Sequence, residues 1–509
     1  MPSTLNAPGI YIEELPSGVH PIAGVSTSDT AFVDWFPRGP VTTPTRVTSF
    51  DEFTRVFGGV HPQSEASYGV LQYFRHGGAV AWLVRINDPG DTAATLNVKD
   101  GTGGGAKNAL VISASNPGKW GSSLKVAVIT AGSGFSLFVR ETKDDRVVDS
   151  EVFRNLVDPV SAVAAVNARA RLIKLSAPES GAGAPVAQTA TTTGDAPDSA
   201  YTALAGGADV TLSTSGLPTK LTDAMSKLTT IEPFVFNILC IPAMALLDAT
   251  NQGAVVAAAS TFCTAQRAFV LVDPPEATAT ATGAQGLLAT ASPASKSAAL
   301  YYPRLVMPDP VNNDRPRNIA PSGVIAGIYA RTDATRGVWK APAGIEAVVG
   351  GITLAVPVTE SDSAALNPLG INALRTLPVV GNVVWGARTL FGADTRANEW
   401  KYIPVRRTAL YIEQSLYAGL KWVVFEPNDE PLWSQIRLNV GSFMQDLFRK
   451  GAFQGTTPRE AYFVRCDKNT TTQSDIDKGI VNILVGFAPL KPAEFVVIQI
   501  QQMAGQASV

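Results

Sequence analysis

Histidine and cysteine are scarce in this chain, with three of each in 509 residues. His20, His61 and His76 cluster near the N-terminus with no paired zinc spacing and no H-E-x-x-H, so a histidine-built metal centre is not expected. Cys240, Cys263 and Cys466 lie far apart and cannot all pair with one another, which argues against a disulfide framework. Neither sign of charge is in excess: Lys+Arg 41 against Asp+Glu 43 leaves a net charge of -2, so no whole-protein field recruits nucleic acid or an anionic membrane. Long apolar runs are missing as well. Windows such as "FVFNILCIPAMALL" contain Asn and Pro and fall short of the roughly 18 residues a membrane span needs. The start "MPSTLNAPG" has no basic and then apolar stretch, so nothing marks the chain for general secretion and synthesis in the cytoplasm is expected. Charged residues make up only 17% against 45% hydrophobic, which suits a subunit that covers much of itself with neighbours.

What is present reads as several alternating segments. "TAFVDWF" and "AVAWLVRI" have strand character, and "ASYGVLQYFRHGG" between them reads as a helix stopped by Gly77-Gly78, giving one β-α-β unit within 21–87. From 88 to 209 the composition shifts to Gly, Ala, Ser and Thr around short strands such as "SLKVAVI" and "FSLFVRE", which predicts an inserted, mostly β peripheral domain. Between 210 and 324, runs such as "FVFNILCIPA", "AFVLVD" and "ALYYPRLVMPDP" are apolar on both faces and alternate with helical stretches, the pattern of an α/β parallel sheet. From 325 to 490 the character is mixed, with strands expected at "VVWGARTL", "LKWVVFE" and "EAYFVRCD". Two long helices are expected there. One carries Val405, Ala409, Ile412 and Leu416 on one stripe, opened by Pro404 and closed by Gly419. The other carries Ile436, Val440, Phe443, Leu447 and Phe448, with Asp429 as N-cap and Gly451 as stop. "SDIDKGIVNILVGFAPL" fits helical and strand spacing alike. Its β-branched content favours a strand from about 480 that turns through "APLKPAE" into a final strand, "AEFVVIQIQQ". The fold class is therefore α+β and α/β multidomain: an inner mixed domain built from both chain ends, a middle α/β segment, the β insertion, and extended arms at 1–20 and 491–509.

The first arm poses a problem of pairing. In "PGIYIEELPSG", Ile10 and Ile12 alternate with Tyr11 and Glu13, followed by Glu14, yet proline and glycine break the chain on both sides. A strand without a local hairpin partner has to find a sheet far along the chain or borrow one from another molecule.

Catalytic patterns are thin. "GTGGGAK" lacks the full phosphate-loop spacing and the Ser or Thr after Lys107, and no G-x-S-x-G elbow surrounds any serine. His76, at a helix end beside Gly77, reads as a complement to the helix dipole, and Asp273, before Pro274-Pro275, as a turn residue. "RTDATRGVWKAPAG" gathers Arg331, Asp333, Arg336, Trp339 and Lys340, which reads as an interface or an ion-pair network. The competing function is a cytoplasmic α/β enzyme with a nucleotide site in 221–310.

Several stretches, taken in order, carry a family likeness: "PGIYIEELPSGVHPIAGVSTSDTAFV", "FRHGG", "AWLVRI", "RTDATRGVWKAPAG", "LNPLGINALR", "WKYIPVRR", "FEPNDEPLWSQIRLNVGSFMQDLFRKGAFQG" and "GFAPLKPAEFVVIQIQQ". Together they resemble the contractile tail sheath proteins of myophages, R-type bacteriocins and phage-like contractile injection systems. The resemblance implies a structural subunit without enzyme activity or cofactor. It would assemble with itself as hexameric rings in a six-start helical sheath around an inner tube protein, meeting baseplate and tail terminator proteins and any sheath paralogues. It would be made in the bacterial cytoplasm and released by lysis in a phage tail or tail-like particle. No direct contact with nucleic acid or membrane is expected. It further implies that Ile10, Tyr11, Ile12, Glu13 and Glu14, together with Phe495, Val496, Val497, Ile498, Gln499 and Ile500, are arms that complete sheets in adjacent subunits. A basic contact with the tube is expected from Arg437, Arg449 and Lys450.

Overall fold

The computed structural model describes residues 20–499 apart from 89, 102–105, 132–133, 187–194, 210–213, 234, 291–293 and 397. Ile10, Tyr11, Ile12, Glu13, Glu14 and Ile500 lie outside the described residues.

The chain begins its main sheet with β1 (Thr30–Trp35), followed by β2 (Thr45–Val47), α1 (Phe50–Phe57), α2 (Glu65–Arg75) and β3 (Ala81–Ile86). Every residue of β1 and β3 is buried. Ala31, Val33 and Trp35 enter one apolar core and Phe32 the other, on the opposite face, as period-2 alternation between two covered faces requires. β1 and β3 run parallel from Thr30↔Ala81 to Trp35↔Ile86, which makes the β-α-β unit real.

Residues 92–208 leave this sheet and return. They hold β4 (Thr95–Lys99), β5 (Asn108–Ala114), β6 (Leu124–Ala131), β7 (Gly134–Lys143), β8 (Arg146–Leu156), α3 (Pro159–Asn167), β9 (Ile173–Ser176) and β10 (Thr202–Ala203). The strands form two antiparallel sheets, ordered β4-β5-β9 and β10-β6-β7-β8, around their own apolar core. Start and end of the excursion are tied together: Thr92 N–H donates to Ala208 O (3.0 Å) and Ala208 N–H to Thr92 O (3.1 Å).

The main sheet resumes with α4 (Leu217–Ser226), β11 (Ile238–Cys240), α5 (Ala249–Gln266), β12 (Phe269–Val272), α6 (Ala281–Thr290) and β13 (Ala298–Tyr302). Then come β14 (Leu305–Pro308), β15 (Pro316–Ile319), α7 (Ser322–Arg336), β16 (Thr353–Leu354), α8 (Glu360–Leu366), β17 (Ile371–Leu377) and β18 (Gly381–Val384). The eight-stranded order is β18-β17-β13-β12-β11-β1-β3-β2, parallel except for the two outermost strands. One sheet thus draws strands from 21–87, from 210–324 and from 325–490, and a boundary placed at 324 cuts through α7. The helices α2 and α7 cross so closely that a Cβ on Gly323 would stand 2.3 Å from the carbonyl oxygen of Gly69, which only glycine permits.

A smaller lobe closes the chain: α9 (Ile403–Gly419), α10 (Glu430–Arg449), α11 (Pro458–Ala461), β19 (Tyr462–Arg465), α12 (Gln473–Asp477) and β20 (Leu484–Phe487). Asp429 caps α10 by accepting from Leu432 N–H, and Gly451 follows its end at φ 75°. Ile436, Val440, Phe443 and Leu447 are buried in the lobe's core, as their spacing predicts.

Two strand expectations fail, and a third strand forms with a different partner. "LKWVVFE" is a short 3-10 turn at Lys421–Val423 and then an exposed loop, because its alternation meets no partner strand. The strand from about 480 does exist, but β20 pairs antiparallel with β19 and not with the chain end. Phe495 to Gln499 forms no strand within the subunit: its backbone pairs with none of the described sheets.

Candidate assembly surfaces

β19 and β20 form an isolated pair in the register Tyr462↔Phe487, Phe463↔Gly486, Val464↔Val485 and Arg465↔Leu484. Neither outer edge has a further strand among the described residues. Two strands alone are marginal in water, and here α10 supports only one side of the pair. Phe463 and Leu484 remain exposed on it.

The C-terminal tail runs past this lobe and is clamped at one residue. Glu494 receives Arg388 in a two-pronged pair, Nε to Oε1 at 2.8 Å and Nη2 to Oε2 at 2.6 Å, and Tyr402 O–H donates to it at 3.2 Å. The Arg388 side chain is fully buried and also binds Asp394 (3.0 Å) and Asn367 O (2.8 Å). Burial works against its charge, but the carboxylates prevail and push its pKa up. Immediately beyond the clamp, Phe495, Val496, Val497 and Ile498 are 74–81% exposed. Four consecutive apolar side chains are thus left in water.

At the other end, His20 stacks on Trp422 with ring centroids 4.3 Å apart, and its N–H donates to Asn439 Oδ1 (3.2 Å). Ile22 lies against Gly419, and Val25 N–H donates to Ser415 Oγ (3.2 Å). Residues 20–25 therefore lie against α9 and α10.

Of the expected cations, Arg437 is engaged inside the subunit, with Glu430 at 2.6 Å and the Cys466 carbonyl. Arg449 and Lys450 are exposed, with no ion pair among the described residues. Lys450 lines a groove of about 870 Å³ with Trp339, Lys340, Arg375, Trp385 and Lys491. The cluster that begins with Arg331 is an ion-pair network. Arg407 meets Asp333 at 2.6 Å with both side chains 3% exposed, and Arg336 meets Glu346 at 2.5 Å.

A second cleft, about 490 Å³, opens beyond the carboxyl ends of β1, β11 and β12, where strand order reverses and open α/β sheets commonly bind ligands. Several of its charged and polar groups are matched to one another, while Trp35 Nε1 and Arg317 Nε are buried without a hydrogen-bond partner. Glu65 bonds Arg304 (3.1 Å) and Arg317 (3.3 Å), and Tyr68 O–H donates to Asp309 (3.0 Å). The start of α2, where a phosphate would sit, is held by Asp34, whose carboxyl accepts from Ala66 N–H at 2.6 Å. Burial pushes the Asp34 pKa up to about 8. Asp273 is more than a turn residue. Buried, with its pKa pushed up to about 6 by that burial, it accepts from Ser322 N–H (2.7 Å) and Oγ–H (2.6 Å) and so fastens the start of α7. His76 does not act as a cation on the helix dipole. It is buried, burial lowers its pKa, and Nε2 accepts from Gly350 N–H (3.1 Å) while Nδ1 faces Gln72 O (2.9 Å), which fits a neutral ring. All three thiols are buried and free, with burial pushing each pKa up, the opposite of a reactive cysteine. Among the described residues no group of three or more His, Cys, Asp or Glu could hold a metal ion, and no helix is long and apolar enough to cross a membrane.

The sequence matches the phage tail sheath protein central domain over residues 218–390 and the phage tail sheath C-terminal domain over residues 395–503, together more than half of the chain. The chain belongs to the contractile tail sheath family. Among its relatives, the tail sheath protein of Vibrio phage KVP40 is 27% identical over 188 residues, 36% of this chain and 27% of that protein. The tail sheath protein of Enterobacteria phage T4 is 27% identical over 168 residues, 33% of this chain and 24% of that protein. The matched stretch thus spans only about a quarter of either relative. Solved structures agree over a much greater length. The sheath complex of the extracellular contractile injection system PVC, in the contracted state, aligns with TM-score 0.61, 22% identity and 98% of each chain covered. The contracted helical sheath of the anti-feeding prophage gives TM-score 0.57, 25% identity, and coverage of 98% of this chain and 100% of that one.

The clamp on the tail is not legible in the sequence. Arg388 and Glu494 stand 106 positions apart, and only the fold brings them together. Tyr402, in "WKYIPVRR", lies 92 positions from Glu494, and its bond to the tail has no local signal.

Proposed function

We propose that this chain is a non-catalytic sheath subunit that polymerises as stacked hexameric rings around an inner tube and drives that tube through a target envelope by contracting. One observation carries the reading: an apolar tail clamped at Glu494 projects free of its own subunit, while the subunit also presents a two-stranded sheet with open edges. In this reading Phe495–Ile498 and Gln499 of one copy, and the segment around Ile10–Glu14, add strands to the β19–β20 pair of neighbours, with main-chain bonds supplying affinity and alternating side chains the register. Such head-to-tail contacts are heterologous and yield open helical assemblies when the rotation between copies does not close. Contraction then repacks the lattice between two arrangements that differ by a few kcal/mol per subunit, on the order typical of bistable packings. Because Arg437 is used internally and Lys450 faces the groove, the tube contact is assigned to Arg449. Baseplate and terminator proteins would cap the two ends, and the particle would assemble in the bacterial cytoplasm and leave by lysis.

Negative-stain electron microscopy of the purified chain, alone and with the other products of its gene neighbourhood, tests this. Striated hollow tubes or sleeves around a thinner tube are the expected result. Small globular particles in every preparation would overturn it.

A further inference from the structure

The loop between α9 and α10 displays an apolar side chain with nothing around it. Phe425 is fully exposed (102%) and its backbone lies in the left-handed region at φ 73°, while Val424 beside it is also exposed. An aromatic residue held in that conformation, with its ring in water, costs stability that no contact within the subunit returns. The groove beside Lys450 has the opposite shape. Two tryptophans, Trp339 and Trp385, line it with Leu490, and five cations, Arg336, Lys340, Arg375, Lys450 and Lys491, outnumber the two acids on its wall, Glu360 and the Arg388-bound Glu494. The Arg375 Nε is buried without a hydrogen-bond partner.

Resting on the reading that copies of this chain assemble, we propose that Phe425 of one subunit seats in the Trp339–Trp385 groove of the next, with Glu426 facing Lys450 and Lys491. Charge favours this occupant. From Val424 to Glu430 the sequence "VFEPNDE" holds three acids and no cation. Glu430 is held by Arg437 and Asp429 caps α10, which leaves Glu426 with no ion pair among the described residues. Lys450 and Lys491 likewise have none. Position favours it too. Phe425 precedes the start of α10, while Lys450 and Gly451 follow its end, so a helix of 20 residues, about 30 Å long, separates knob from groove. A ring cannot reach the groove of its own subunit across that length. A second copy displaced along the helix can supply it, and because the two patches differ the contact is heterologous and can repeat from copy to copy.

The test pairs Phe425→Cys with Leu490→Cys in the full chain, whose native thiols are all buried. Mild oxidation with diamide is expected to give a ladder of covalent dimers, trimers and longer species, and neither single variant should give one. Phe425→Asp should leave the melting temperature of the free subunit unchanged and cut tube mass at least tenfold. Glu426→Lys or Lys491→Glu alone should weaken assembly, and the two together should restore it. Tubes of normal yield from Phe425→Asp with no ladder would overturn the contact while leaving the sheath reading standing. A variant that builds empty sleeves yet fails to retain the inner tube would place Phe425 on the tube and overturn it as well. A ladder from a chain that never forms tubes would keep this contact and remove the sheath.

Discussion

The Asp34 carboxyl sits between two backbone N–H groups inside the main sheet, protonated up to about pH 8 by its burial. In the unfolded chain the same group ionises near its ordinary 3.8. Between those values the folded state holds a proton that the unfolded state releases, so stability from this site is greatest at low pH, declines as pH rises toward about 8, and is flat above. Asp273, pushed up to about 6, adds a decline of the same sign over a narrower window. The melting temperature of Asp34→Asn should therefore fall less than that of the wild-type subunit between pH 5 and 8, and parallel curves would contradict this. The Asp333–Arg407 pair makes a second claim. Asp333→Ala strands a buried guanidinium and should cost about 3–5 kcal/mol in chemical denaturation, whereas Asp333→Leu with Arg407→Met together should cost much less. What sequence could say about such side chains depended on distance along the chain. Asp429 and Gly451 are local signals and behave as read, whereas the environment of His76 is set by Gly350, 274 positions away.

Elements show the same division. The helices α9 and α10 were legible because 17 and 20 residues of regular apolar spacing, with Pro404, Gly419 and Asp429 at their ends, leave little choice. Short apolar runs offered no such guarantee. "LKWVVFE" and "AEFVVIQ" have strand composition and no strand within the subunit, and β20 pairs back to β19 across the intervening α12. Strand identity depends on a partner, and the partner is either distant or on another molecule. The tail clamp can be tested as an element. Glu494→Ala removes one of the two carboxylates that pair with the buried Arg388, leaving Asp394, and should lower the melting temperature, make the chain beyond residue 490 several-fold more sensitive to protease, and reduce tube yield. Unchanged cleavage would show that Arg388 does not hold the tail.

For the whole molecule, the question is which parts the fold needs. The excursion from 92 to 208 has its own core, and its ion pair to the rest includes Arg38 with Glu141 at 2.7 Å. Replacing residues 93–207 with Asn-Gly, which closes a two-residue turn between antiparallel strands, should leave a soluble subunit that still forms tubes. Aggregation of that variant would show the excursion to be part of the folding unit. The feature that makes this replacement feasible is the reciprocal bond between Thr92 and Ala208, which holds the two crossing points as a hydrogen-bonded pair, about 5.5 Å between Cα atoms. Seen from the main sheet, a hundred or more residues amount to a side branch on a single stem. A lineage could then exchange whatever it displays on that branch without refitting the lattice beneath, and a designer could graft onto the same stem any domain whose termini lie side by side.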